Sequence, residues 1–317
     1  MSESTNTLAG ILALNDRNLS PEEASAILNM APVLAAIHAQ KASQGGTTHK
    51  FQRKAAAPGV GFRLVNEGIT NATGTFDIVT QSLALLDATV RRDKGVVLAF
   101  DSGYMDREST DSLAEAMFKL ECAMFRANIN KQFTGLPGNA FFDAITVDSQ
   151  VVNAGGAGGR SVWLLRSAPN GISMVLGQDG KVNVGEDIEV SVADSSNRQY
   201  SAIQRSILGW AGLQVGTQYD AARICNLDGT TNHTLTDTLL MQAWLKGKVG
   251  GGFNLIAMSR TSLGELWASR TAVNPTGAEA AMPTSWQGIP IVVTDAIPED
   301  ESALNTTTTT TTTSTQA

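Results

Sequence analysis

Between Ser109 and about Phe133 the apolar residues fall in two stripes at helical spacing. Leu113, Met117, Leu120 and Met124 follow at steps of 4, 3 and 4, and Phe118, Cys122, Phe125 and Ile129 form a second stripe alongside. One such stripe lays a helix on a core. Two adjoining stripes make an apolar arc too wide for a helix with one side free. The pattern predicts a helix over 109–133, ~37 Å long at the usual rise, packed on two sides as a spine. Any fold this chain adopts must put structure on both flanks of that helix.

Upstream lies an element with the opposite problem. FRLVNEGITNATGTFDIV, residues 62–79, reads as one hairpin: Phe62 and Leu64 extend, the polar GITNATG turns, and Phe76, Ile78 and Val79 return. Two strands alone in water are marginal, and this segment has too little apolar surface for a core of its own. Phe62, Leu64, Phe76 and Ile78 therefore need another surface, either a sheet of the same chain or a second molecule.

The remaining elements follow from local signals. Ser20-Pro21-Glu22-Glu23 combines an N-cap, a proline at the first helical position and a capping-box glutamate, predicting a short helix through Met30 that Pro32 interrupts. Val33–Ala39 offers a further turn or two, and AQKASQGGTTHK reads as a flexible linker. Residues 81–100, with Val90, Val96, Val97 and Leu98, have β character. SVWLLR and GISMVLG flank SAPN, a hairpin signal, while IEVSVAD and YSAIQRSILGWAGLQVG alternate as strands. Thr236 and Asp237 open a helix through Leu245, and FNLIAMS reads as a buried strand. SLGELWASR is a helix with a Ser262/Glu265 capping box, and QGIPIVVTDAI a last strand with Pro290 at an edge or bulge. Asn305, eight threonines and STQA form a low-complexity tail expected to be disordered.

Composition removes several function classes. The net charge of −7 argues against a chain built to coat nucleic acid, which needs clustered Lys and Arg. Charged residues are only 17%, with Thr, Ser, Asn, Gln and Gly supplying polarity, which suits a surface that touches other copies. Cys122 and Cys225 sit far apart among apolar residues and read as buried free thiols. No apolar run reaches membrane-span length, and MSESTNTLAG lacks the pattern of a secretory signal, so the chain is expected to be soluble and made in a cytoplasm.

Catalytic patterns are missing as well. His38, His49 and His233 share no metal-ligand spacing. The glycine run NAGGAGGR (153–160) is neither a dinucleotide fingerprint nor a P-loop, and reads as a flexible linker. No nucleophile elbow occurs, and the carboxylate clusters Glu22/Glu23 and Glu299/Asp300/Glu301 lie in turn-like contexts. No catalytic residue, cofactor or metal is expected.

The order of elements, with five phrases along it, resembles the major capsid proteins of tailed bacteriophages with the Hong Kong 97-type fold, and most specifically their epsilon-15-like branch. The phrases are GVGFRLVNEG (59–68), SVWLLRSAPNGI (161–172), WAGLQVGTQYDAARICNL (210–227), AMSRTSL (257–263) and the closing GIPIVVTDAI (288–297). Together they span about residues 50–300. The resemblance implies an α+β Hong Kong 97-like fold: an N-terminal arm (1–50), an extended loop and following strands (51–100), a peripheral domain (101–218) with the spine helix 109–133, a mainly axial domain (219–288), a closing peripheral strand (289–304) and the tail (305–317).

It also implies a structural protein, not an enzyme, that self-assembles as pentamers and hexamers into an icosahedral head around double-stranded DNA, touched only non-specifically. The extended loop would lie across a neighbouring copy through Phe62, Arg63, Leu64, Glu67, Phe76 and Ile78, with Arg91, Arg92 and Asp93 of that copy as charge partners. Lys246, Lys248, Gly250, Gly251 and Gly252 are the candidate axial loop. Expected partners are further copies, a separate scaffolding protein, a portal and a decoration or cement protein, with no membrane. The expected location is the virion, after synthesis in a bacterial cytoplasm. With only about 50 residues before the hairpin, no large cleaved pro-domain is expected, nor is covalent cross-linking. Two other readings stay open at this stage: a cellular nanocompartment shell of the same fold (an encapsulin), and a two-domain α/β ligand-binding enzyme.

Overall fold

The structure, a computed structural model, describes residues 29–43, 46–56, 58–68, 73–100, 103–127, 129–146, 149–177, 180, 182–230, 232–248, 252–274 and 278–305. The helix expected from Ser20, most of the N-terminal arm, the hairpin turn at 69–72 and the threonine tail beyond Asn305 lie outside the described residues. The described chain opens on α1 (Pro32–Ala36), β1 (His38–Lys41), β2 (Thr48–Ala56) and β3 (Thr75–Ser82). Then come β4 (Ala84–Asp87), β5 (Val90–Asp93), α2 (Lys94–Ala99) and the long helix α3 (Tyr104–Met124). The strands β6 (Val151–Asn153), β7 (Gly158–Leu165), β8 (Ile172–Leu176), β9 (Asn183–Ala193) and β10 (Gln199–Val215) follow. Last are β11 (Ala221–Leu227), α4 (Asp237–Leu245), β12 (Leu255–Met258), α5 (Arg260–Ala272), β13 (Ser285–Trp286), β14 (Ile289–Val293) and β15 (Glu301–Ser302).

Two compact units share these elements out of sequence order. The first holds residues up to 120, with 130–133 and 168–217; the second holds 121–129, 134–167 and 218 onward. Residues 101–218, one block in the sequence reading, fall in both compact units, whereas 219–288 lie wholly in the second. The physical reason lies in β7 and β8. Both are buried along their length, so each needs partners on its edges and cover on its faces. They do not pair with each other across SAPN, as the hairpin signal suggests. β7 lies between β11 and β12, both antiparallel to it, whereas β8 lies between β1 (parallel) and β10 (antiparallel).

In the first unit β10 is the organising strand, pairing with β4, β5, β8 and β9. Along it Ile207, Gly209, Ala211 and Leu213 point inward while Leu208 and Trp210 face out, the period-2 signature read from the sequence. Arg205 is buried on this strand and grips Asp187 of β9 (2.6 and 2.7 Å) and Asp106 at the start of α3 (2.7 Å). Residues 94–99, expected as strand, are helical because Asp93 caps them, its Oδ1 accepting from Gly95 N–H at 2.6 Å. The linker reading of 39–50 is also corrected: its ends belong to β1 and β2.

The spine helix begins earlier and ends earlier than 109–133. Its 21 residues span roughly 31 Å. Leu113, Met117, Leu120 and Met124 are all buried, as are Cys122 and Phe125. The helix stops because its last carbonyls are covered by another stretch of backbone. A Cβ on Gly135 would sit 2.1 Å from Arg126 O and 2.3 Å from Ala123 O, so only glycine fits. The polar ANINK run favours such a turn over further helix. Ile129, placed on the second stripe, is exposed beyond the helix.

The second unit is built on the order β13-β14-β12-β7-β11-β6, with β15 added to the start of β7. One face, with Val162, Leu164, Ile224 and Ile256, shares a core with Leu240 of α4 and Leu266 of α5. Thr236 caps α4 as the sequence suggests. α5 is capped by Ser259, accepting from Ser262 N–H at 3.3 Å, not by the predicted Ser262/Glu265 box. Glu265 is committed elsewhere: it accepts from Leu235 N–H at 3.0 Å and pairs with Arg160.

Candidate assembly surfaces

The arm of the first unit differs from the hairpin read in the sequence. β2 pairs with β3 in the register Phe51↔Val79 and Arg53↔Asp77, so the outgoing strand is 48–56. Pro58, Gly59 and Gly61 end it, since proline lacks a donor and glycine packs nothing in a strand. Phe62, Arg63, Leu64 and Glu67 consequently stand in the loop beyond the strands. There Glu67 Oε2 accepts from Leu64 N–H and Arg63 Nη1 donates to Glu67 O, both at 3.0 Å, with Asn66 at φ +69°. Among the described residues the apolar ones find no cover: Phe62 is fully exposed, Leu64 76%, Phe76 60% and Ile78 70%. Val60 and Val65 are equally bare and were missed in the sequence. The signal for them was two valines inside a Gly- and Pro-bearing loop with no alternating partner.

The residues expected as charge partners on the neighbouring copy have partners within their own chain. Arg91 donates to Gln204 Oε1 at 2.9 and 2.7 Å, and Arg92 Nε to Glu108 at 3.0 Å. The bond to Glu108 raises the Arg92 pKa. Asp93 is the cap of α2. Exposed apolar side chains lie close by along the chain, Val96 and Leu98 on α2 and Leu85 on β4, opposite Trp210.

In the second unit, Lys246 donates through Nζ to Ser149 O at 2.9 Å, so it anchors the candidate axial loop instead of projecting from it. Lys248 and Gly252 are exposed, whereas Gly250 and Gly251 lie outside the described residues. Trp244 and Leu245 at the end of α4 are exposed beside the loop's start.

The glycine run is a close-packed bulge, not a linker. A Cβ on Gly156 would meet Asn226 O at 2.5 Å, and one on Gly159 (φ +104°) would meet Leu227 O at 2.2 Å. Asp228 closes it by accepting from Ala157 N–H at 3.1 Å and from Thr230 N–H at 2.9 Å. The Thr230 hydroxyl also donates to Asp228, at 2.6 Å; it does most to hold the carboxyl well below the ordinary range, followed by the two N–H bonds. Next to the run, Arg223 is buried over the Trp163 ring (5.2 Å) and donates to Phe142 O and Ser161 Oγ, each at 2.9 Å, and to Glu301 at 2.7 Å. Each of its three nitrogens is engaged by the fold. Among the described residues no set of three His, Cys, Asp or Glu side chains is placed to hold a metal ion. No described helix is long and apolar enough to cross a membrane.

Solved structures share this arrangement of helices and sheets. The chain resembles the epsilon15 bacteriophage structure with TM-score 0.60 and 20% identity, covering 84% of this chain and 87% of that one. It also resembles the capsid of bacteriophage JBD30 decorated with minor capsid protein trimers, with TM-score 0.51 and 12% identity over 91% and 98% of the two chains. No curated protein matches it in sequence. The fold is thus the mixed helix-and-sheet fold of Hong Kong 97-like phage capsids. The family model for Major capsid protein GP7 matches residues 24–305, and the chain belongs to that family. It is a structural protein of the icosahedral phage head, a component of the virion, and not an enzyme.

Proposed function

We propose that the chain closes its shell by laying the far half of the β2–β3 arm on a neighbouring copy. The observation that carries this is the exposure of Phe62, Leu64, Phe76 and Ile78 on an arm whose own strands give them no cover. Full burial of such side chains stabilises by roughly 1.5–3 kcal/mol each, and a closed shell repeats the contact around every copy. Individually modest contacts then become collectively strong. The first unit takes the peripheral role, since it carries the arm. The second takes the axial role, with loop 246–252 and the end of α4 facing the symmetry axes of pentamers and hexamers. On this reading residues 134–167 and the closing strand β14 are assigned to the axial side; their membership of the second unit and the pairing of β14 with β12 support that assignment.

The remaining partners follow from the shell role. Double-stranded DNA is enclosed and touched without sequence preference, in keeping with the net charge of −7. A separate scaffolding protein guides assembly in the bacterial cytoplasm, a portal occupies one vertex, and a decoration protein finds its seat on the finished outer surface.

The test is light scattering and electron microscopy of purified protein, with and without a candidate scaffolding partner. The unchanged chain and a Phe62→Ser, Ile78→Ser variant are compared. The expected result is uniform closed shells from the unchanged chain and none from the variant, with equal thermal unfolding of the two subunits. Shells of normal size and yield from the variant would remove the arm from the mechanism.

A further inference from the structure

The arm is exposed at one end and held at the other. Loop 58–68 and Thr75–Ile78 of β3 are bare, whereas His49 is buried and Phe51 and Arg53 are half-buried. A polar cluster fixes this root. Gln214, near the end of β10, donates through Nε2 to Pro169 O at 2.9 Å. A carbonyl only accepts, so the amide has one orientation. Its Oε1 then receives Gln40 Nε2 of β1 and His49 Nε2 of β2, each at 2.6 Å. His49 Nε2 must carry the ring proton, and Nδ1 accepts from Ser43 N–H at 3.2 Å. Gln40 is itself tied to Ser173 Oγ of β8 at 2.7 Å.

A second grip lies farther along the same strand. Arg53 donates through Nε to Gly216 O at 3.1 Å and through Nη2 to Val215 O at 2.9 Å, one planar fork spanning two successive carbonyls. Where the arm returns, Leu83 lies against Gly212 of β10, and any side chain there would come within 2.5 Å of it. One grip alone would leave a ribbon free to swing about it. Two grips four residues apart, roughly 13 Å along an extended strand, remove that freedom.

We propose that this cluster is an aiming clamp: His49 and Gln214 seat the arm, and Arg53 is the outermost positioning residue, setting the direction in which the exposed half leaves the first unit. The proposal rests on the arm being an assembly contact. Its consequence is preorganisation, because an arm already pointing at its neighbour needs less ordering when it binds. If loosening the clamp leaves the arm correctly aimed a tenth of the time, each contact weakens about tenfold.

The experiment reads direction before assembly. Spin labels on Thr75→Cys in β3 and Ser195→Cys in the β9–β10 turn report the distance distribution in unassembled subunits, for the unchanged background and for Arg53→Met, Arg53→Lys and Gln214→Leu. The expected result is a narrow distribution that broadens in Arg53→Met and Gln214→Leu and narrows again in part in Arg53→Lys. Amide protection along the Phe51–Val79 pair should persist, showing that the ribbon itself stays intact. The same variants, unlabelled, should give fewer closed shells and more open or irregular ones. Unchanged widths in both disrupting variants would overturn the clamp, and so would broadened widths with normal shell yield. If one disrupting variant fails to fold, the other and Arg53→Lys decide the matter. A Phe62→Ser, Ile78→Ser variant that assembles normally refutes the arm reading instead, whatever the label distances show.

Discussion

The two ends of the chain's mixed architecture treat buried and bare surface in opposite ways. In the second unit, β11 is buried along its whole length and β7 at every position but Gly159, and even their arginines are enclosed and paired. In the first, the β2–β3 arm holds apolar side chains out into solvent with only its root secured. The central sheet of the second unit finds its cover within a single copy. The arm is not, and that difference separates what holds the subunit together from what joins subunits. Substitutions in the sheet should act on folding, and substitutions on the arm should act on assembly alone.

The largest effect on folding is expected at Arg223→Ala. It would leave the largely enclosed Glu301 without its charge partner and strip hydrogen bonds from Phe142 O and Ser161. Breaking a buried pair from one side costs about 3–5 kcal/mol. Chemical denaturation followed by tryptophan fluorescence measures it, with Trp163 under the guanidinium as a reporter. A loss near zero would mean that this region is no more self-sufficient than the arm. Gly135→Ala comes next. Its methyl would meet fixed carbonyls at the end of α3, which no rotamer change relieves, so about 1–3 kcal/mol is expected from overpacking. A fully stable alanine variant would show that the helix end can shift without cost.

Where local signals and pairing agreed, the sequence was readable. β10 alternates, β12 is short and wholly apolar, and α4 starts at its capping threonine. It misled where a tertiary partner decided the outcome. SVWLLR and GISMVLG look like a hairpin, and nothing local tells that they belong to different units. β2, with basic and polar residues and one phenylalanine, has no strand pattern, because its neighbour in the ladder and the Gln214 cluster hold it. NAGGAGGR looks flexible until the carbonyls of Asn226 and Leu227 are placed against it. For the arm, composition gave the need for cover at Phe62, Leu64, Phe76 and Ile78, but not the position of the outgoing strand. The pairs made by Arg91 and Arg92 depend on Gln204, 113 residues from Arg91, and on Glu108 across the α2 segment that the sequence read as strand, and could not be read at all.

A smaller folding effect is expected at Asp237, which joins α4 to α5 by accepting from Arg270 at 2.9 and 2.7 Å. The bond to Arg270 lowers the Asp237 pKa. A lowered folded value means the carboxylate contributes stability above its unfolded value, near 3.8, and loses it as the pH falls through the folded value. With the pair partly exposed, Asp237→Asn should cost under about 1 kcal/mol at pH 7. The gap between variant and unchanged chain should shrink as the pH drops below 4. Denaturation midpoints at neutral and acid pH test this, and a constant gap would mean that Asp237 acts through its shape and not its charge.

The smallest folding effect belongs to the arm, and it tests the comparison most directly. Glu67 is exposed, and its carboxylate holds only the local turn through Leu64 N–H. Glu67→Lys removes that bond and reverses a charge on the loop. Because nothing in the body of the first unit depends on the turn, subunit stability should stay within about 0.5 kcal/mol. Assembly should still change, since a loop that loses its internal bond presents Phe62 and Leu64 less uniformly to the next copy. Arg91, Arg92 and Asp93 are already engaged, so the change should not depend strongly on salt, as it would if Glu67 met a free cation there. Shell yields at low and high ionic strength decide between these. A salt-sensitive loss would restore the direct charge contact between neighbours, while a drop in unfolding stability would show that the arm contributes to the fold it extends from.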